Sequence, residues 1–261
     1  MGHPRSEPES DTLPPALSLL AMVLGTGGML LAATATGRQL GLRHSLLVSE
    51  TVLVLPALLL LPLNGVPLRA LRIGPPPAAS LALSLLGGAT LWLASLGLIE
   101  LQYAVWAPPP HYLQAFRALH DALRPKDAAD ALLSVTAVAL APALCEEVLV
   151  RGIVLPSLAR ALGASLAVLA SAGLFGLIHL DPFRFPFTFA VGLVLGVVRL
   201  RAGSLIPPIV AHATLNALTF LAVPVLDDPT NPMPTPRPLV GATLLLVGAT
   251  LTTLLFRPLR R

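Results

Sequence analysis

Glu146, Glu147, Arg151, His179, His212 and Asn216 stand inside or at the ends of long apolar runs, where polar side chains are costly. In hydrocarbon an ionisable group costs roughly 2.5–3.5 kcal/mol at a helix centre, so each one needs a reason. Glu147 and Arg151 are four residues apart, share a helical face and can form an ion pair. Glu146 lies about 100° round the same helix and is left available by that pairing. Pro142, one turn before the acids, removes an amide from the helix and can kink it. His212 and Asn216 are again four apart, offering an imidazole and an amide on one face. Phe175 and His179 do the same with a ring and an imidazole. All of these polar groups are therefore expected to converge on the bundle interior or a water-filled cavity.

A carboxylate beside an imidazole is the minimal apparatus for activating water. A second imidazole with an amide supplies donors for a developing oxyanion. Equally, Glu146 with His179 and His212 could hold a metal ion such as zinc. Spacing does not choose between them. Plainer readings exist too: a salt network for Glu146, Glu147 and Arg151, a helix-end histidine near Asp181 for His179, and interhelical hydrogen bonds for His212 and Asn216. Cys145 has no basic neighbour in sequence and reads as a small packing residue.

The ordered set Glu146-Glu147-x-x-x-Arg151, Phe175-x-x-x-His179 and His212-x-x-x-Asn216, on three separate apolar segments, resembles the motifs of CAAX-type intramembrane endopeptidases. That family includes the Ras-converting prenyl proteases and the bacterial abortive-infection proteins. The resemblance covers roughly 128–220. It implies an eight-helix bundle, with Glu146 and His179 as the catalytic pair that activates water. It also implies His212 and Asn216 as oxyanion donors, and Glu147, Arg151 and Phe175 as structural support. No zincin His-Glu-x-x-His occurs in the motif set, so no cofactor is firmly implied; zinc on Glu146, His179 and His212 is the metal-dependent alternative.

The whole composition agrees with a membrane setting. Of 261 residues, 55% are hydrophobic and 11% charged, and the mean hydropathy is +0.80. A soluble domain carries about 25% charged residues, so most of this exterior must face lipid. The formal charge of +4 and pI near 10.2 do not indicate nucleic acid. The basic residues, all Arg except Lys126, are scattered singly or in pairs between apolar runs, as helix-end anchors are.

Apolar stretches able to cross ~30 Å of hydrocarbon fall at 14–36, 45–63, 79–103, 128–150, 162–181, 186–201, 204–224 and 238–256. They predict an all-α, polytopic transmembrane helix bundle of about eight spans. Residues 1–127 would hold the first helices and an interfacial helix, 128–224 the catalytic core, and 225–261 a loop and the last helix, in one folded bundle. Proline-rich breaks at 75–77, 108–110 and 224–238, the last with Asp227 and Asp228, separate the runs. Residues 111–126, with Tyr112, Phe116, Leu119 and Leu123 at helical spacing, read as an amphipathic helix, interfacial or in an ordinary loop. Glu7, Glu9 and Asp11 before the first run argue for a retained helix over a cleaved signal, and Met1-Gly2 with Ser6 fits the loose myristoylation pattern. Alternate loops carry nine basic residues, including Arg5, Arg260 and Arg261, against seven, favouring both termini in the cytoplasm.

Glu50 and Glu100 read as interfacial or helix-packing groups, and Arg199 and Arg201 as side chains snorkelling to a surface. The loop around Arg184, with Phe183, Phe185, Phe187 and Phe189, reads as an aromatic anchor or a substrate entrance. The Arg-rich, nearly Lys-free composition suggests a bacterial cell membrane. The expected partners are the lipid bilayer and a membrane-associated peptide or protein substrate, with no nucleic acid. The rival from another class is a non-catalytic immunity or scaffold protein of the same fold. A proton-coupled transporter is disfavoured, because no inverted repeat is visible.

Overall fold

The structure, a computed structural model, describes residues 11–74, 76–226 and 235–257. The Met1-Gly2 pattern with Ser6, the acids Glu7 and Glu9, Pro75, the Asp227-Asp228 pair and the basic residues Arg5, Arg260 and Arg261 lie outside the described residues.

Among the described residues the chain forms helices α1 (Pro15–Leu40), α2 (Leu42–Leu63), α3 (Ala78–Val105), α4 (Pro110–Leu123), α5 (Ala128–Leu162), α6 (Ala164–Leu177), α7 (Phe185–Ala202), α8 (Ile206–Leu226) and α9 (Pro238–Phe256). No strand occurs among them. Six helices are long and apolar enough to cross a membrane: α1, α2, α3, α5, α7 and α9. Helix α6 and the Ile206–Ala222 part of α8 are apolar but shorter. These eight match the eight apolar stretches of the sequence, and the protein is a multi-pass membrane bundle. Its outer faces expose Val23, Leu31, Leu239 and Leu246, as lipid contact requires.

Local chemistry explains the turns. Single glycines, Gly41 (φ 75°) and Gly163 (φ 79°), join α1 to α2 and α5 to α6. Their positive φ lets the chain reverse in one residue without a Cβ clash. Helices α3 and α9 pack through Gly97, Gly241 and Gly248 and are tied by a 2.9 Å hydrogen bond between the hydroxyls of Thr90 and Thr252. Small residues and interhelical hydroxyls are the usual means of bringing helices together in lipid.

Helix α5 departs from the expected 128–150 span. It runs on to Leu162, so the acids at 146 and 147 sit mid-helix rather than at its end. The reason lies in its two prolines. Before Pro142 the chain makes a π-helical turn over Thr136–Leu140, in which the Ala141 amide donates to the Thr136 carbonyl. Before Pro156 a second π-helical stretch covers Val148–Val154, and the Leu155 amide donates to the Val150 carbonyl. In each case the last amide before the proline bonds a carbonyl five residues back, and the helix continues past the proline. The expected 162–181 span is likewise corrected: α6 stops at Leu177, and Leu180 takes a left-handed φ of 52° that ends the helical path.

One assignment of a charged residue also changes. Arg199 is buried rather than snorkelling, whereas Arg201 is exposed. Glu100, expected to be interfacial or helix-packing, accepts from the backbone amide of Arg237 at 3.0 Å and from its guanidinium at 3.3 Å. The four phenylalanines of the Arg184 loop do not act together. Phe183 packs against Trp106 and Tyr112, Phe185 stacks on Phe189, and Phe187 faces a cavity.

Candidate active site

Two buried apolar clusters form the core. One joins Leu53 of α2, Leu149 and Val154 of α5, and Phe175 of α6; the other joins Leu91 of α3, Val191 of α7, Leu215 of α8 and Phe256 of α9. A cavity of about 330 Å³ draws its wall from both, including Leu53, Phe175, Val191 and Leu215. Every polar group singled out for water activation or oxyanion binding lines it: Glu146, His179, His212 and Asn216. The helical stripes are regular. Val138, Pro142 and Glu146 come from α5 at i, i+4, i+8, and His212, Asn216 and Phe220 repeat that spacing on α8.

Behind this wall lies the ion pair expected from spacing. Arg151 Nη1 donates to Glu147 Oε1 at 2.7 Å, and both side chains are 0% exposed. The same guanidinium donates through Nη2 to the carbonyl of Gly192 at 3.1 Å and lies 4.4 Å above the centre of the Phe175 ring. Phe175 also meets both imidazoles edge-on, His179 at 5.1 Å and His212 at 5.8 Å between ring centres. One aromatic ring thus fixes a cation on its face and two imidazoles at its rim.

The imidazoles are oriented by what they touch. His179 sits just past the end of α6, with Nδ1 2.8 Å from the carbonyl of Phe175. A carbonyl only accepts, so Nδ1 carries the proton, and the neutral ring presents a lone pair at Nε2. His212 Nδ1 lies 3.0 Å from Glu147 Oε1, and its Nε2 is 3.8 Å from Glu146 Oε2. The carboxylate of Glu147 accepts from Nδ1, which leaves Nε2 toward Glu146 and the cavity. Asn216 has no hydrogen-bond partner among the described residues, so its amide is free to serve a ligand. The sequence placed Glu147 with Arg151 alone; the structure adds His212 as a second partner on the same oxygen.

Among the described residues no three His, Cys, Asp or Glu side chains are grouped to hold an ion, and Glu146, His179 and His212 do not form such a cage.

Three features of the cavity were not legible as site residues. Glu50 of α2 lines it, as does Arg184 of the loop before α7. Helix α4 contributes Phe116, Leu119, His120 and Leu123, so the amphipathic segment lies along the cavity. This helix is held at both ends. Tyr112 donates to Asp181 Oδ2 at 2.6 Å, two residues from His179, and Arg43 donates to the carbonyls of Leu123 and Arg124 at 3.2 and 3.1 Å. Burial, then the hydrogen bond to Asp181 and that carboxylate's charge, push the Tyr112 phenol above its ordinary pKa.

Residues 128–218 match the family model described as type II CAAX prenyl endopeptidase Rce1-like. No curated protein and no solved structure matches the chain.

Proposed function

We propose, from the match of residues 128–218 to the Rce1-like CAAX prenyl endopeptidase model, that the protein is an intramembrane endopeptidase of CAAX type. Its substrate is a membrane-associated peptide or protein, and it works in the cell membrane with both termini in the cytoplasm. The observation that carries this reading is the meeting of Glu146, His179, His212 and Asn216 on one cavity wall.

The chemistry follows from the atoms available. A water in the cavity donates to the Glu146 carboxylate and to Nε2 of His179. Glu146 takes a proton as the water oxygen attacks the scissile carbonyl carbon. The carbonyl oxygen becomes an oxyanion that accepts from the Asn216 amide and from Nε2 of His212. For His212 to donate there it must carry both protons; Nδ1–H then remains on Glu147. Glu147, Arg151 and Phe175 hold the imidazole of His212 in place and touch no reacting atom. No side-chain nucleophile is required. The apolar wall from α2, α4 and α7 suits a lipid-modified or helical segment.

The test is comparative proteomics of membranes from wild-type cells and a Glu146→Gln strain expressing equal protein. A cleavage fragment found only in the wild type supports the endopeptidase and identifies its substrate. Unchanged fragments together with unchanged cellular function would instead establish the non-catalytic membrane partner.

A further inference from the structure

Glu50 is a carboxylate that neither the fold nor the mechanism above uses. It lies eight residues into α2, ~12 Å along the helix from Leu42. Leu46, Glu50 and Leu53, at i, i+4 and i+7, all line the cavity, so one acid interrupts an apolar stripe. Its Oε2 is buried with no hydrogen-bond partner. No ion pair to a described residue accounts for it, unlike Glu100 with Arg237 or Glu147 with Arg151. A carboxyl in a membrane helix with no structural partner points to function. Packing of α2 against α5 sets Glu50 and Glu146 on the wall of the same cavity.

In that mechanism Glu146 and His179 hold the water, and His212 and Asn216 hold the oxyanion. Once Glu146 has taken the water proton, the tetrahedral intermediate holds its oxyanion on His212 and Asn216. The amine must still leave, and an amine is expelled only with a proton on nitrogen. We propose that Glu50 is the general acid that supplies this proton, a further catalytic residue resting on the endopeptidase reading. The C–O bond forms as one water proton passes to Glu146. The C–N bond breaks as the Glu50 carboxyl proton passes to the nitrogen. The turnover ends with Glu146 protonated and Glu50 ionised, and the proton returns from one to the other across the cavity. Two neighbouring carboxyls sharing one proton suit this exchange, because both cannot easily be ionised together.

The experiment compares two probes on purified full-length protein. One is a farnesylated CAAX peptide; the other carries the same acyl part as a 4-nitrophenyl ester, whose phenolate leaves without a proton. Glu50→Gln should lower kcat for the peptide by about 100-fold while the ester changes by less than about threefold, with KM unaltered for both. Glu50→Asp keeps the charge but withdraws the carboxyl by one methylene, and should show the same split; it decides the matter if the Gln variant does not fold. Equal losses on both probes, or no loss on either, overturn the assignment. Glu146→Gln should abolish both reactions. If that variant keeps both, the endopeptidase reading fails, and the role of Glu50 with it.

Discussion

Oε1 of Glu147 serves two partners at once: Arg151 Nη1 at 2.7 Å and His212 Nδ1 at 3.0 Å. A structural ion pair is thereby wired to an imidazole on the cavity wall. Glu147→Gln keeps the shape and removes the charge, leaving a guanidinium that is 0% exposed without its counter-ion. Stranding one member of a buried pair costs about 3–5 kcal/mol. The variant should give a lower yield of monodisperse protein and a lower Tm. Glu147→Gln with Arg151→Met should recover much of that stability, because the stranded charge is gone. Equal melting of wild type and the single variant would show that the pair does not hold the bundle.

Asn216 presents an amide that no described residue uses. Asn216→Ala should therefore leave folding and KM close to wild type while kcat falls about 10²–10³-fold, the usual effect of losing one oxyanion donor. Steady-state kinetics on the substrate found by proteomics provides the check. A fall in Tm with kcat preserved would make Asn216 a packing residue.

Helix α4 should loosen at alkaline pH. A phenol whose folded pKa is raised binds its proton more tightly in the folded protein, so the contribution of Tyr112 is complete below the unfolded tyrosine pKa of about 10. It is lost as pH rises through the higher folded value. Hydrogen exchange across 110–123 should accelerate above that pH in the wild type. In Tyr112→Phe, exchange should be fast already at neutral pH. An unchanged pattern in the Phe variant would mean that the Tyr112–Asp181 contact does not hold the helix.

Activity should survive exhaustive chelation followed by metal analysis. The expectation rests on donor placement: no three-donor cage forms among the described residues. Loss of turnover on chelation, restored by added zinc, would reverse it.

The membrane class and the site were legible for different reasons. Long apolar runs announce spans whatever their neighbours, because lipid leaves the backbone no other option. Glu147 with Arg151, and His212 with Asn216, were readable because i, i+4 spacing survives within a helix. Glu50 was not, since it stands alone on α2 and its relation to Glu146 exists only after α2 packs on α5. The second role of Glu147 was hidden for the same reason: His212 is 65 residues away. The end of the fourth span was misplaced because the apolar run was taken to stop at 150. Pro156 lies within α5, and α5 passes it through a widened turn.

Those widened turns have a bearing on the protein's tolerance of change. A π-helical turn is in effect an α-helix with one residue added, which rotates everything after it by about 100° relative to a regular wheel. Removing a single residue within 136–140 would return that stretch to ordinary winding and keep the downstream azimuth, so a deletion that should wreck a membrane helix could be absorbed here. The same deletion between Ala141 and Cys145, where the winding is regular, would swing Glu146 and Glu147 apart from their partners. Length variation in this helix should therefore gather just upstream of Pro142.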